Sequence, residues 1–260
     1  MAASAELLNR LTRGQALGIH LLISAIVAAG VLILMLALWY PPPFFEVQGG
    51  GQLAFIVIGV NFVLGPVVAF FVFKPGKRGL KFDVVVLALV QVAALAYGFH
   101  VVAGARPAFL VLVTDQFEVV AAGDLEPEQL ALARRPEFRR LALDGPVRVY
   151  SDAPREGDAR KNILLSVLAG GPDVQLRPEY FVPFSERLDR ALGFSHSPEH
   201  ARSHWPAAAS AIDRYLADSG RAPSEVRYLA GRAPRGWFVC VIDAVSGDVL
   251  AMAAVSESRD

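Results

Sequence analysis

Residues 74–81 read KPGKRGLK, four positive charges in eight residues, set between two long apolar runs. Basic residues in short loops between membrane helices are retained on the cytoplasmic side, so this stretch reads as a tight cytoplasmic turn. Its residues are those of a chain reversal, since Pro75 and Gly76 interrupt a helix and Gly79 lets the chain turn back before the next one begins.

Outward from the turn, residues 53–73 form the preceding apolar run and residues 82–104 the following one. Further upstream, residues 15–40 (QALGIHLLISAIVAAGVLILMLALWY) exceed the roughly 20 needed to cross a bilayer. That first run follows Arg10 and Arg13 and ends in Trp39, Tyr40 and three prolines, without a small-x-small cleavage site. It reads as a retained anchor, with the aromatic pair and Pro41 to Pro43 marking the outer surface. Glu46 is the one charge in the 41–51 loop.

Together, Arg10, Arg13, Lys74, Lys77, Arg78 and Lys81 set the topology. The reading is a membrane protein with three N-terminal transmembrane helices in residues 1–105, its N-terminus and basic turn cytoplasmic. Residues 106–260 then form an exported α+β domain, which in a bacterial cell lies in the periplasm below a multi-pass inner-membrane anchor.

Composition separates the same two parts. Residues 1–105 hold six of the 25 Lys and Arg and three of the 25 Asp and Glu, whereas residues 106–260 have the charge density of a soluble domain. Neither part has the positive excess of a nucleic-acid binder. The single cysteine, Cys240, excludes an intramolecular disulfide, so an exported domain must cohere by packing. Within WFVCVID, Cys240 reads as a small buried hydrophobe.

Polar groups within the apolar runs are the candidates for recognition. Asn61 and Gln91 sit near the middle of their runs, where an unpaired amide is costly, so they face protein. They either bond one another or offer a contact to a transmembrane partner, which Gly59, Gly65 and Pro66 would let approach closely; Tyr97 extends that face. His20 and Asp83 lie nearer the cytoplasmic edge. So few ionisable groups, with no visible inverted repeat, do not describe a transporter.

In the exported part, residues 108–122 (AFLVLVTDQFEVVAA) read as a strand or bent pair broken at Thr114 and Asp115. Residues 126–141 read as a helix with Pro127 in its first turn and Arg134, Arg135, Arg139 and Arg140 toward its end. Strand 147–150, helix 158–168, a long ordered loop 172–184, and helices 185–192 and 205–219 follow. Residues 224–230 are a possible strand, and 236–244 with 248–254 make a hairpin turning at Ser246 and Gly247. Asp115 and Phe117, with Tyr180 and Phe181 of an aromatic loop that either covers the core or forms a sticky surface, are the candidate contacts of this domain with a partner.

No nucleotide-binding, hydrolase or metalloprotease motif is present: GxGxxG after a strand, GxxxxGK[ST], GxSxG and HExxH are all missing. His196, His200 and His204 recur every four residues and would align on one helical face, yet a fourth ligand is not apparent, and no metal or other cofactor is expected.

The combination LGPVVAFFVFKPGKRGLKFD, with IHLLISAIVAAGVLILMLALWYPPPFFEVQGG before it and ARPAFLVLVTDQFEVVAAGDL after it, resembles the TfpX/TfpZ family of type IV pilin accessory proteins. KNILLSVLAGGPD and PEYFVPF resemble its C-terminal part. The resemblance implies a noncatalytic accessory or chaperone role, stabilising a major or minor pilin in the inner membrane before pilus assembly. Its partners would be the pilin's N-terminal transmembrane helix, the pilin head and the lipid bilayer, with no nucleic acid or small-molecule substrate, and the 108–122 strand could meet the head by edge pairing. A membrane-anchored periplasmic enzyme, or a domain serving a sensor partner, is the alternative.

Overall fold

A computed structural model of the chain describes residues 12–59, 66, 70, 77 and 79–255, which divide into two compact units. In the first unit, α1 (Arg13–Leu34) starts at a capping box: Thr12 Oγ1 accepts from the Gln15 amide and Gln15 Oε1 accepts from the Thr12 amide. A π-helical turn, Met35–Trp39, prolongs α1, and the apolar helix so formed is 26 residues long. α4 (Leu80–Ala105) supplies the other long apolar stretch, 24 residues. Both helices are long and apolar enough to span a bilayer, and Ile26 and Leu89 on them are each 64% exposed, as lipid-facing side chains are.

The run at 53–73 is described as a helix only over its first part, within α3 (Gly50–Gly59), so its full crossing lies outside the described residues. α2 (Phe44–Val47) precedes α3 and belongs to the second unit, which comprises Leu36–Gly50 and Gly104–Asp260.

The second unit is built on a seven-stranded sheet among the described residues. The strands are β1 (Pro107–Val113), β2 (Gln116–Ala121), β3 (Val147–Ser151), β4 (Phe181–Pro183), β5 (Val226–Ala233), β6 (Gly236–Asp243) and β7 (Val249–Val255), in the order β4-β3-β1-β2-β5-β6-β7. β1 pairs β3 in parallel and β2 pairs β5 in parallel; the other neighbours are antiparallel. β1 is therefore central, and its near-continuous burial fits a strand covered on both faces.

Alternation of side chains sends Leu110 and Leu112 to one face and Phe109 and Val111 to the other. On the first face, Phe117 packs on Phe184, with ring centroids 5.5 Å apart, and α7 (Leu188–Phe194) adds Ala191. On the second, Phe109 meets Phe181 at 5.2 Å and Phe138 at 6.2 Å, while α8 (Pro198–His204) and α9 (Ala209–Ser219) bury Ala201 and Ile212 against Tyr228 and Val241.

Thr114 and Asp115 form a two-residue turn, making 107–121 a hairpin; Thr114 has φ 58°, the positive value that such tight turns call for. The proposed edge pairing by this segment does not fit the sheet, because β1 and β2 each have neighbours on both sides. The 126–141 helix is also shorter than expected. α5 (Pro127–Ala131) stops, and a separate 3-10 turn, Pro136–Arg139, begins after Arg135, which Pro136 holds extended at φ −90°, ψ 126°. Arg135 then reaches both carboxylate oxygens of Glu186 at 2.7 Å instead of lining a helix end. The 172–184 loop contains two 3-10 turns and ends in β4, which pairs with β3. α6 (Gly157–Leu168) and the 236–255 hairpin follow the expected pattern.

The largest departure concerns the 41–51 segment. Phe44 and Val47 are fully and almost fully buried in the core of the second unit. Gly231 of β5 makes this possible: a Cβ there would overlap Phe238 Cζ, so the Phe238 ring lies across the bare glycine, and Phe44 meets that ring edge-on at 5.6 Å. The Arg235 amide donates to the Val47 carbonyl at 3.0 Å and closes the attachment. Phe44→Ala is therefore expected to destabilise the second unit by about 3–5 kcal/mol, as loss of a buried phenyl ring does, whereas Phe45→Ala, at a half-buried neighbour, should cost much less; chemical denaturation in detergent, followed by near-UV circular dichroism, checks both.

Candidate functional site

The two points where the chain enters the second unit, at Leu36 and at Gly104, lie beside one buried charge. Arg106, which immediately precedes β1, is 6% exposed and lies 5.7 Å from the Trp39 ring centroid. Trp39 and Tyr40 are themselves buried, so the pair is part of the domain interior and does not serve as an interfacial belt. Burial lowers the Arg106 pKa from its ordinary value, and its Nη1 finds no hydrogen-bond partner among the described residues. The Ala122 amide donates to the Arg106 carbonyl at 2.9 Å, tying the end of the first hairpin to the same point.

Of the membrane residues singled out in the sequence, Gly59 ends α3 with open space where a Cβ would be, and Pro66 is buried. Gln91 is half-buried on α4 and Tyr97 is 72% exposed. Asn61 and Gly65 lie outside the described residues, as do Arg10, Lys74 and Arg78. Arg13 begins α1, Lys81 lies in the first turn of α4, and exposed Lys77 pairs with Asp83. Val57 of α3 would be 3.8 Å from a Cβ on Gly98 of α4, an ordinary contact distance, so the two helices run close together there without requiring a glycine.

In the second unit, Asp115 is exposed at the hairpin turn, and Tyr180 is half-buried under the Arg134 guanidinium at 5.9 Å. Phe117 and Phe181 are 0% and 1% exposed, one in each core face, so neither presents its ring at the surface. The surface site that sequence reading did not mark is the sheet edge. Among the described residues β7 (VLAMAAV) is paired on one side only; it carries no charge or proline and is half-exposed along its length. A groove of about 800 Å³ runs past it, walled by Pro42, Glu46 and Val47 on one flank and by Arg214, Tyr215 and Asp218 of α9 on the other. The absence of any gatekeeper charge in residues 249–255 was the available signal.

The histidines do come together. The His196 and His200 rings stack at 4.5 Å and 20°, and those of His200 and His204 at 5.5 Å and 14°. α8 supplies the alignment: Ser197 Oγ caps it, accepting from the His200 amide at 3.3 Å, while His196 is held to Tyr228 by two backbone hydrogen bonds of 2.9 Å. Imidazole lone pairs lie in the ring plane, so parallel rings do not aim them at a common point. No group of three or more His, Cys, Asp or Glu arranged to hold a metal ion occurs among the described residues. Cys240 is buried at β6, and burial pushes its thiol pKa well up, away from the reactive thiolate.

These features describe a membrane-associated protein with long apolar N-terminal helices and a mixed α+β domain, whose prominent surfaces are suited to packing and strand pairing. The family model for "Fimbrial assembly protein FimB" matches residues 10–49, the stretch running from α1 to the segment docked in the sheet core. The fimbrial assembly proteins of serogroups E1 and I of Dichelobacter nodosus are each 30% identical over 176 residues, covering 66% of this chain and 67% of theirs. That of serogroups C1 and C2 is 33% identical over 119 residues, 45% of this chain and 90% of its own length. The chain belongs to this family of fimbrial assembly proteins. No solved structure matches it.

Burial first, then the neighbouring His200, His204 and Arg227, lower the His196 pKa below the ordinary histidine value. The unfolded chain therefore binds a proton more readily than the folded one in the interval just below about pH 6.5. Stability contributed by this site is present above that pH and is lost on acidification through the interval. Thermal unfolding between pH 7.5 and 5.5 should show a falling Tm, with a shallower slope in His196→Gln.

Proposed function

We propose that this protein is a noncatalytic accessory of fimbrial assembly that binds a type IV pilin, major or minor, in the bacterial inner membrane and stabilises it before it joins the fibre, as the TfpX/TfpZ resemblance implies. The observation that carries this reading is the kinship with fimbrial assembly proteins over two thirds of both chains. The family's role in assembly, and the absence of catalytic sequence motifs, are consistent with a protein that performs no reaction.

A multi-pass topology with a periplasmic domain is supported by two features that do not depend on one another. Leu36–Gly50 and Gly104–Asp260 pack as one unit, so both stand on one side of the membrane. The intervening chain then crosses an even number of times, which suits two apolar runs joined by the basic turn at 74–81. With α1 as the first crossing, the total is three, and the charges orient the turn toward the cytoplasm.

In this reading the pilin's apolar helix packs on the face marked by Gly59, Asn61, Gly65, Pro66, Gln91 and Tyr97. Small residues permit close approach, and the amides bond polar groups of the incoming helix. Asp115 and Tyr180 are the accessible members of the periplasmic set. Any strand pairing with the pilin head falls to β7, the long sheet edge that remains open, in place of the 108–122 hairpin.

Deleting the gene in a piliated host is expected to lower pilin several-fold on an immunoblot without changing its transcript, and the wild-type gene should restore it. Unchanged pilin would leave only an anchoring role. Pilin that still co-purified with a chain substituted together at Asn61, Gln91, Gly59 and Gly65 would dismiss the intramembrane contact while leaving the periplasmic one standing.

A further inference from the structure

A polar cavity of about 710 Å³ opens in the second unit beside the carboxyl ends of the parallel strands β1 and β3. β1 runs on to β2 on one side and β3 leads to β4 on the other, so the two connections diverge along the sheet beside the cavity. The volume lies within the range of small-molecule sites.

Its lining is that of an anion site with acceptors added. Arg155, Arg160 and Arg232 face Glu118 and Asp173 around it, and Ser151, the last residue of β3, completes the wall. Ser151 is 6% exposed, and its Oγ has no hydrogen-bond partner among the described residues. A buried hydroxyl is rarely left unsatisfied without a function or a missing partner.

The arginines are not equivalent. Arg155 donates to the Tyr150 hydroxyl and lies 5.0 Å from the Phe194 ring centroid. Arg232 stands opposite Glu118 in the β2–β5 register, 5.9 Å from the Trp237 ring. Arg160, half-buried in the first turns of α6, has no hydrogen bond or ion pair among the described residues.

Three guanidiniums against two carboxylates leave one net positive charge, which matches a monoanion better than a phosphate dianion. Glu118 and Asp173 can in turn accept from donors on the same ligand. We propose that this cavity binds a carboxylate carried by a group with hydrogen-bond donors beside it, the chemistry of an N-acylated amino acid and hence of a polypeptide C-terminus. Arg160 pairs with the carboxylate through its planar fork.

Isothermal titration calorimetry on the full chain in detergent micelles tests this, with N-acetylalanine as probe and its methyl ester and inorganic phosphate as comparisons at matched ionic strength. N-acetylalanine should bind saturably at one site, with the ester and phosphate each at least tenfold weaker. Arg160→Ala should weaken binding at least tenfold, and Arg160→Lys should restore only part of it. Arg190→Ala, on the exposed face of α7, should leave it unchanged. No saturable heat, an ester bound as tightly as the acid, or full affinity in Arg160→Ala would each overturn the site, and equal or tighter phosphate binding would overturn the choice of carboxylate. A matching thermal unfolding midpoint establishes that each variant is folded, and Arg160→Gln replaces Arg160→Ala if that variant is not.

Discussion

Phe44 against Phe238, over the bare backbone of Gly231, is the contact that gives this protein its arrangement. It takes the short segment after the first apolar helix and makes it part of the core of a domain whose remaining residues begin some sixty positions later. A loop that only linked two helices would leave the domain joined to the first unit through a single strand of chain. With Phe44 and Val47 buried, the domain is held at two points in sequence, and Trp39, Tyr40 and Arg106 are buried in the same unit. The hydrophobic gain from removing a phenyl ring and a valine from water makes that second attachment stable.

The attachment bears on function as well as stability. The match to the fimbrial assembly family model covers residues 10–49, from the first helix through the docked segment. The open edge at β7 and the groove beside it share a wall with that segment, so the region that joins the domain to the first helix also borders its long unpaired strand.

Much of the second unit was legible because its elements are punctuated locally. Strands 147–151 and 226–233 and the 236–255 hairpin carry β-branched residues between turn residues, and Asp243 anchors the last turn by accepting from the Val245 and Ser246 amides at 2.9 Å. Those bonds, joined by Arg221, hold the Asp243 carboxyl down to about 2. The candidate contacts were less legible. Phe117 and Phe181 have the residue type of a sticky surface and the position of a core, a difference set by the sheet order. Pro136 cut a run of helix-compatible residues that periodicity alone would join. His196, His200 and His204 align as their spacing implies, but only the ring planes reveal that their lone pairs do not converge.

Composition and near neighbours along the chain were enough to define two long apolar segments, the mixed character of the C-terminal part and a kinship with pilus assembly proteins, since each is written within a few residues of itself. The folded chain was needed to show which strands are interior, that β7 is an open edge among the described residues, and that Ser151 borders a polar cavity with arginines from a loop, from α6 and from β5. It was needed also to show that the chain leaves the second unit after Gly50 and rejoins it at Gly104. Those facts rest on pairings between residues far apart in sequence, and a contact such as Phe44 on Phe238 leaves no periodic trace in either segment.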